Sequence, residues 1–276
     1  MKIGIFDSGY GGLTVFKDIV EYLPQYDYIY LGDNARTPYG TRSFEIVYKY
    51  TLQAVKKLFE LDCQLVILAC NTASAKALRT IQQHDLPNIA PNRRVLGVIR
   101  PTVEIIDFHT KTNKVGILAT PGTVDSQSYK IEINKFFPKI EVYQQACPMW
   151  VPIVENNEHL SDGADYFVNK YIKQLYNQNE NIDSIILACT HYPLLIEKII
   201  KYTPKKTKIL SQGPIVAKSL FEYLKRHPEI EKKLTKTKKY TFYTTDRTDV
   251  FDKMTSIFLS NTMAINSNKI ELEKNL

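Results

Sequence analysis

Two cysteines stand in matching surroundings. The tetrapeptide Ile-Leu-Ala-Cys ends at Cys70 within QLVILACNTAS and again at Cys189 within SIILACTHYPL. Each copy is an apolar, β-branched-rich run of strand length that stops at a thiol. Residues suited to open a helix follow at once: Asn71 and Thr72 in the first copy, Thr190 and His191 in the second. A free thiol has a pKa of about 8.5, and a helix N-terminus or a nearby cation lowers it. Groups of this kind suit proton transfer near neutral pH. One thiolate and one thiol on opposite faces of a carbon acid would remove a proton from one side and return one from the other. The carbon is inverted, and neither sulfur needs to form a covalent bond.

Other polar residues cluster at comparable places. Asp7-Ser8-Gly9-Tyr10-Gly11-Gly12 is a glycine-rich strand-to-helix junction, where backbone N–H groups approach an anion and Asp7 and Ser8 project at the sheet edge. It lacks the Gly-Lys-Ser/Thr ending of a nucleotide P-loop and does not fit the dinucleotide pattern, so a small carboxylate is the better guest. The loop GDNARTPYG (Gly32–Gly40) is too polar for core, and Tyr39 and Gly40 would shape a backbone cradle at that edge. His191, two residues after Cys189, is placed to tune that thiol. His84, His109, His159 and His227 read as helix-end or loop residues, and Cys63 and Cys147 as packing. Cys189 with His191 is too little for a metal site, so no metal is expected.

Bulk properties exclude several classes. The chain has 276 residues, enough for one large domain or two of ordinary size, and 44% of them are hydrophobic. Four cysteines in a chain of this length do not make a disulfide framework. No apolar run approaches the roughly 18 residues of a membrane span, and Asp7 interrupts the N-terminal apolar run before it could serve as a secretory signal. A cytoplasmic protein is expected, with no membrane partner. The formal charge of +7 raises nucleic acid as a ligand, but the late lysine-rich stretches are broken by Glu and Pro and carry no aromatic stacking pattern. They read as solvated surface, and no nucleic-acid partner is expected.

The elements that must position these residues alternate strand and helix. Strands are expected at Lys2–Phe6, Tyr28–Leu31, before Cys70 and at Val95–Ile99, with helices at about Ser43–Leu61 and Thr72–Gln83. Such alternation predicts an α/β fold with mostly parallel sheets flanked by helices. A second cycle opens at KVGILATPGTV (Lys114–Val124), parallel to KIGIFDSGYGG (Lys2–Gly12), which predicts two similar, pseudo-symmetric domains. Beyond Tyr202 the pattern of the first lobe returns, with a strand near Lys208–Leu210, a helix from Pro214 to Leu224, a strand at Tyr240–Thr244 and a helix at Val250–Leu259. The expected domains are therefore 1–99 with 207–276, and 100–206. Ligands of open α/β sheets bind beyond the carboxyl ends of the strands, so the active site is expected in a cleft between the two domains.

Taken together, DSGYGGLTV, GDNARTPYG, LACNTAS, ATPGTVDSQSY, ACPMWVPIVE and LACTHYPLL resemble glutamate racemase, of the cofactor-independent aspartate/glutamate racemase superfamily. The likeness runs in order from about Ile3 to Leu195, and FYTT (Phe242–Thr245) fits its C-terminal part. It implies that Cys70 takes the proton from D-glutamate and Cys189 from L-glutamate, with Asp7 and His191 as auxiliary acid/base groups and Glu155 as a further carboxylate. It implies substrate contacts from Asp7, Ser8, Tyr39, Gly40, Asn71, Thr72, Thr123, Thr190 and His191. It also implies no cofactor, neither pyridoxal phosphate nor metal, and a product used for bacterial peptidoglycan. Asn156, Asn157 and Ser211 depart from the family pattern without touching either cysteine.

The residues by themselves say "small anionic amino acid" and stop, so aspartate stays open as a substrate. A non-catalytic amino-acid-binding module and a cysteine hydrolase using one thiol with His191 are the rival classes. Oligomeric state is not legible, and a homodimer is left open.

Overall fold

The computed structural model describes residues 1–259 and 265–272. The chain divides into two compact units, Met1–Val98 with Gly213–Leu276, and Ile99–Gln212. Among the described residues the strands are β1 (Lys2–Asp7), β2 (Tyr28–Gly32), β3 (Cys63–Leu68), β4 (Arg94–Gly97), β5 (Lys114–Ala119), β6 (Glu141–Ala146), β7 (Ser184–Ala188), β8 (Lys208–Leu210), β9 (Tyr240–Thr244) and β10 (Ser267–Lys269).

The first unit holds a six-stranded sheet in the order β10-β9-β2-β1-β3-β4, with parallel pairing throughout. β2 and β3 are buried along their whole length, and β1 is buried after Lys2. Burial on both faces explains why these strands read as continuous apolar runs rather than alternating ones. Phe16, from the helix Leu13–Tyr22, seals one face by packing edge-on against Tyr28, Tyr30 and Phe242. The helix Phe44–Glu60 buries Val47, Thr51, Ala54, Val55 and Leu58 at helical spacing. Its start is set by Ser43, whose hydroxyl accepts the Ile46 N–H at 3.3 Å.

The second unit holds a four-stranded sheet, β6-β5-β7-β8, also parallel. That order reproduces β2-β1-β3-β4 of the first sheet strand for strand. The helix Asp162–Gln178, capped by Ser161, corresponds to Phe44–Glu60, since each precedes the strand that leads to a cysteine. Glycine recurs at the same place in β1 and β5 for the same reason. A Cβ at Gly4 would lie 3.3 Å from Leu58, and one at Gly116 would lie 2.7 Å from Leu175. In both units the crossover helix lies against a strand position that carries no side chain.

The strand Lys208–Leu210 corrects one expectation. It does not return to the first sheet but pairs with β7, Ser184 opposite Lys208 and Ile186 opposite Leu210. It is the repeat's counterpart of β4, so the second unit ends at Gln212 rather than at 206. The first unit likewise ends at Val98, because β4 stops at Gly97 and Ile99 opens the helix Ile99–Glu104. The helix expected over Thr72–Gln83 runs on to Ile89 through the segments Asn71–Lys76, Leu78–Thr80, a wide turn Ile81–Asp85 and Leu86–Ile89. Pro87 follows the wide turn directly, the Leu86 N–H donating to the Ile81 carbonyl. The expected domain range to residue 276 includes 260–264 and 273–276, which lie outside the described residues. Among the described residues no helix is long and apolar enough to cross a membrane.

A Gly116→Ala change should destabilise the protein by about 1–3 kcal/mol through overpacking against Leu175, Ile182 and Ile185. Urea unfolding of Gly116→Ala, Leu175→Ala and the double variant checks this. The two costs should add to more than the double variant shows, because the shortened side chain vacates the space the new methyl needs.

Candidate active site

Parallel strands bring all their carboxyl ends to one edge, and in the first unit that edge gathers most of the predicted polar residues. Asp7 ends β1, Asp33 follows β2, and Cys70 follows β3. Backbone bonds lock the three ends together: the Ala69 N–H donates to the Phe6 carbonyl at 2.8 Å, and the Asp33 N–H to the Asp7 carbonyl at 3.0 Å. Cys70 then caps the helix Asn71–Lys76, with Asn71 and Thr72 buried in its first turn. Ser8 Oγ lies 3.4 Å from Cys70 Sγ, and either atom is able to donate.

Asp7 is almost wholly buried, and its carboxylate accepts the Gly9 N–H at 2.9 Å. Gly12 makes room for it, since a Cβ there would lie 2.5 Å from the Asp7 Cβ. The phenol of Tyr30 donates to the Gly9 carbonyl at 2.9 Å and holds the loop from beneath.

Tyr39 stands at the same edge, its ring against Phe6 and Tyr50. Its hydroxyl donates to the fully buried Asp33 carboxylate, which also accepts Arg36 Nε–H at 2.7 Å and the Thr245 hydroxyl at 2.9 Å. Burial, together with the charge and hydrogen bond of Asp33, holds the Tyr39 phenol well above its ordinary pKa. Tyr39 is therefore a proton-bearing donor at neutral pH. Gly40 follows, half-buried.

In the second unit the corresponding edge carries different chemistry on the same backbone. The Cys147 N–H donates to the Ala119 carbonyl at 2.8 Å, repeating the Asp33–Asp7 bond. Thr120 caps the helix Pro121–Asp125, and its hydroxyl lies 3.1 Å from that of the buried Thr123. Cys189 follows β7, with Thr190 and His191 buried beside it. His191 Nδ1 lies 3.8 Å from Cys189 Sγ, and its Nε2 lies 3.0 Å from Glu155 Oε1. Glu155 ends the helix Trp150–Glu155, and Trp150 packs edge-on against Tyr192 at 4.7 Å. A thiol, an imidazole and a carboxylate thus form a continuous chain.

Burial alone would push the His191 imidazolium towards neutrality. Its hydrogen bonds to Cys189 and Glu155, and the charges of those groups, outweigh that and raise its pKa to about 10. His191 is cationic at neutral pH, with a sulfur on one side and a carboxylate on the other. All four cysteines are outside disulfides. Burial pushes the Cys63 thiol up to about 12 and the Cys147 thiol well above its usual value, so both stay protonated.

In the first unit Ser8 lies against Cys70, with Asp7, Tyr39, Gly40, Asn71 and Thr72 in the segments that follow the strands of the same edge; in the second Cys189, His191 and Glu155 are in series, with Thr190 beside them and Thr123 in the helix that follows β5. Among the described residues no cluster of three or more His, Cys, Asp or Glu could hold a metal ion. Sequence reasoning passed over three buried participants. Asp33 lies inside the loop Gly32–Gly40, where the sequence gives it no mark of its own. Tyr129 and Gln212 meet through a 2.7 Å hydrogen bond from the Gln212 amide, which also donates to Thr102 at 3.0 Å. Their partners lie far off in sequence, so no local signal marked them.

A family model described as Asp/Glu/Hydantoin racemase matches residues 3–218. A glutamate racemase of Sulfurihydrogenibium sp. is 37% identical over 273 residues, covering 99% of this chain and 98% of its own. One from Geobacter metallireducens is 39% identical over 224 residues, covering 81% and 80%. Among solved structures, glutamate racemase of Francisella tularensis in complex with D-glutamate superposes with a TM-score of 0.87 at 35% identity, over 99% of this chain and 98% of that one.

The His191 assignment predicts a pH dependence of stability with a definite sign. A histidine pKa raised from 6.5 to about 10 on folding contributes stability that is whole below pH about 6.5 and is lost as pH climbs through about 10. The difference in urea midpoint between the unmodified protein and His191→Asn should therefore shrink across that window. A difference that grows with pH would contradict the assignment.

Proposed function

The chain belongs to the Asp/Glu/Hydantoin racemase family, and we propose that within it the protein interconverts L- and D-glutamate by proton transfer at Cα between two cysteines. The observation that carries this reading is the repeat itself. The same strand end occurs twice, each time with a thiol at the opening of a helix or turn and a hydrogen-bonding partner for the sulfur: Ser8 for Cys70, His191 for Cys189. The full-length likeness to glutamate racemases, one of them with D-glutamate bound, points to the substrate.

In the D-to-L direction the Cys70 thiolate takes the Cα proton of D-glutamate, and the electron pair left on carbon delocalises into the α-carboxylate. The Cys189 thiol then delivers a proton to the opposite face. L-glutamate leaves, with Cys70 now a thiol and Cys189 a thiolate; the reverse direction restores both. The proposal requires both sulfurs to reach one Cα from opposite sides.

His191 supports the second half of the cycle, because an imidazolium beside Cys189 stabilises the thiolate that remains after proton delivery. Glu155 holds that imidazole by Nε2 and keeps it charged. On the other half Asp7 is the auxiliary acid/base group and Ser8 positions the Cys70 sulfur. Backbone and side-chain groups at Ser8, Tyr39, Gly40, Asn71, Thr72, Thr123 and Thr190 bind the amino acid. Neither a metal nor pyridoxal phosphate enters any step, and D-glutamate made this way serves peptidoglycan synthesis.

The test is purified protein with L-glutamate in heavy water, chelator present and no cofactor added. Racemisation should proceed with deuterium appearing at Cα. Cys70→Ala and Cys189→Ala should each lower kcat/KM by about 10²–10⁴-fold or more, as loss of a general acid/base does. Because the enantiomers have equal free energy, kcat/KM must fall by the same factor in both directions. Full activity in either variant, or a preference for D-aspartate over D-glutamate, would refute the reading.

A further inference from the structure

Lys76 is a buried lysine with no role in the chemistry above. It lies in the last turn of Asn71–Lys76, the helix that Cys70 opens, and its residue is only 8% exposed. Lysine is almost never buried to this degree without a compensating partner, because withdrawing an ammonium from water costs several kcal/mol. Here the ammonium donates to the main-chain carbonyl of Arg42 at 2.7 Å. Position 76 is four residues after Thr72, so the two side chains share one helix face a turn apart.

Arg42 lies between Tyr39, which is anchored, and Ser43, the cap of the helix Phe44–Glu60. Tyr39 is buried and fastened to Asp33, and the Arg42 N–H donates to the Tyr39 carbonyl at 3.0 Å. From Thr41 to Glu45 every residue is exposed. The Lys76 ammonium therefore ties this exposed stretch, from its inner side, to the helix that carries Asn71 and Thr72. Gly40, whose backbone takes the amino acid in the proposed function, lies two residues from the tie.

We propose that Lys76 is a positioning residue for substrate binding, its ammonium clamping the Tyr39–Arg42 segment onto the Cys70 helix so that the Gly40 backbone and the Asn71–Thr72 turn hold a fixed spacing. This rests on the glutamate racemase reading for what is bound, but the clamp itself is read separately. Lys76 touches no reacting atom in this account, so its loss weakens binding more than turnover.

Lys76→Met keeps the length of the side chain and removes the donor, and Lys76→Arg restores a cationic donor. Hydrogen bonds from a charged group correspond to roughly tenfold to hundredfold in an equilibrium. Lys76→Met should accordingly raise KM for glutamate about tenfold or more while kcat changes less than threefold. Brief trypsin treatment of the native protein should cut after Arg42 faster in Lys76→Met, since its carbonyl is no longer held. Lys76→Arg should return both quantities towards those of the unmodified protein. KM within threefold of the original, an unchanged cleavage rate after Arg42, or KM and kcat collapsing together with the melting temperature would each overturn the proposal. If the unmodified protein does not racemise glutamate, the parent reading fails, and cleavage after Arg42 still decides the clamp.

Discussion

Parallel pairing of the two central strands in each unit is the constraint from which the rest follows. β1 against β3, in unbroken register from Ile3 on, and β5 against β7 run in one direction, so their carboxyl ends meet at one edge and the helices that follow start there. A residue one or two places past the last pairing is therefore set by the ladder rather than by its own contacts. That is how thiols at Cys70 and Cys189 come to stand at the start of a helix or turn with backbone N–H groups nearby. The bond from Ala69 to Phe6 carries the ladder up to Cys70, and those from Asp33 to Asp7 and from Cys147 to Ala119 extend the neighbouring pairs. A side chain so placed loses little further entropy in adopting a catalytic geometry.

The two edges share a backbone and differ in chemistry. Ser8 corresponds to Thr120 and Asp33 to Cys147, and Thr72 and His191 each stand two residues past the thiol. One half sets a hydroxyl against its sulfur, with a buried carboxylate held by a main-chain N–H at the same edge. The other supplies a thiol, an imidazolium and a carboxylate in series. His191 reaches both the sulfur and Glu155, so one imidazole links the two in that half.

Much of this arrangement was legible before any coordinates. The repeated Ile-Leu-Ala-Cys and the paired Lys-X-Gly strands carry their signal locally, in apolar runs bounded by glycine and helix-opening residues, and the sheets follow them. Tyr240–Thr244 is the strand β9 that its β-branched and aromatic residues suggested. What escaped depended on distant partners. Lys208–Leu210 is three residues long, half exposed and lysine-flanked, and nothing in it tells which sheet it joins. Ser267–Lys269 has no apolar pattern and exists as β10 only because β9 offers an edge. Tyr129 and Gln212 acquire their importance from a hydrogen bond spanning a long stretch of chain, and Asp33 combines local bonds from Arg36 and Tyr39 with a distant one from Thr245. Local periodicity carries no trace of such bonds.

Gly4 and Gly116 define the depth at which each crossover helix lies on its sheet, and they do so by omission. A methyl group at Gly116 would meet Leu175 at 2.7 Å and press the helix away from the sheet, whereas one at Gly4 would sit tightly, 3.1 Å from Cys63 and 3.3 Å from Leu58. The placement of each thiol thus leans on bare main chain in the neighbouring strand, Gly4 of β1 opposite Val66 of β3 and Gly116 of β5 opposite Ile185 of β7.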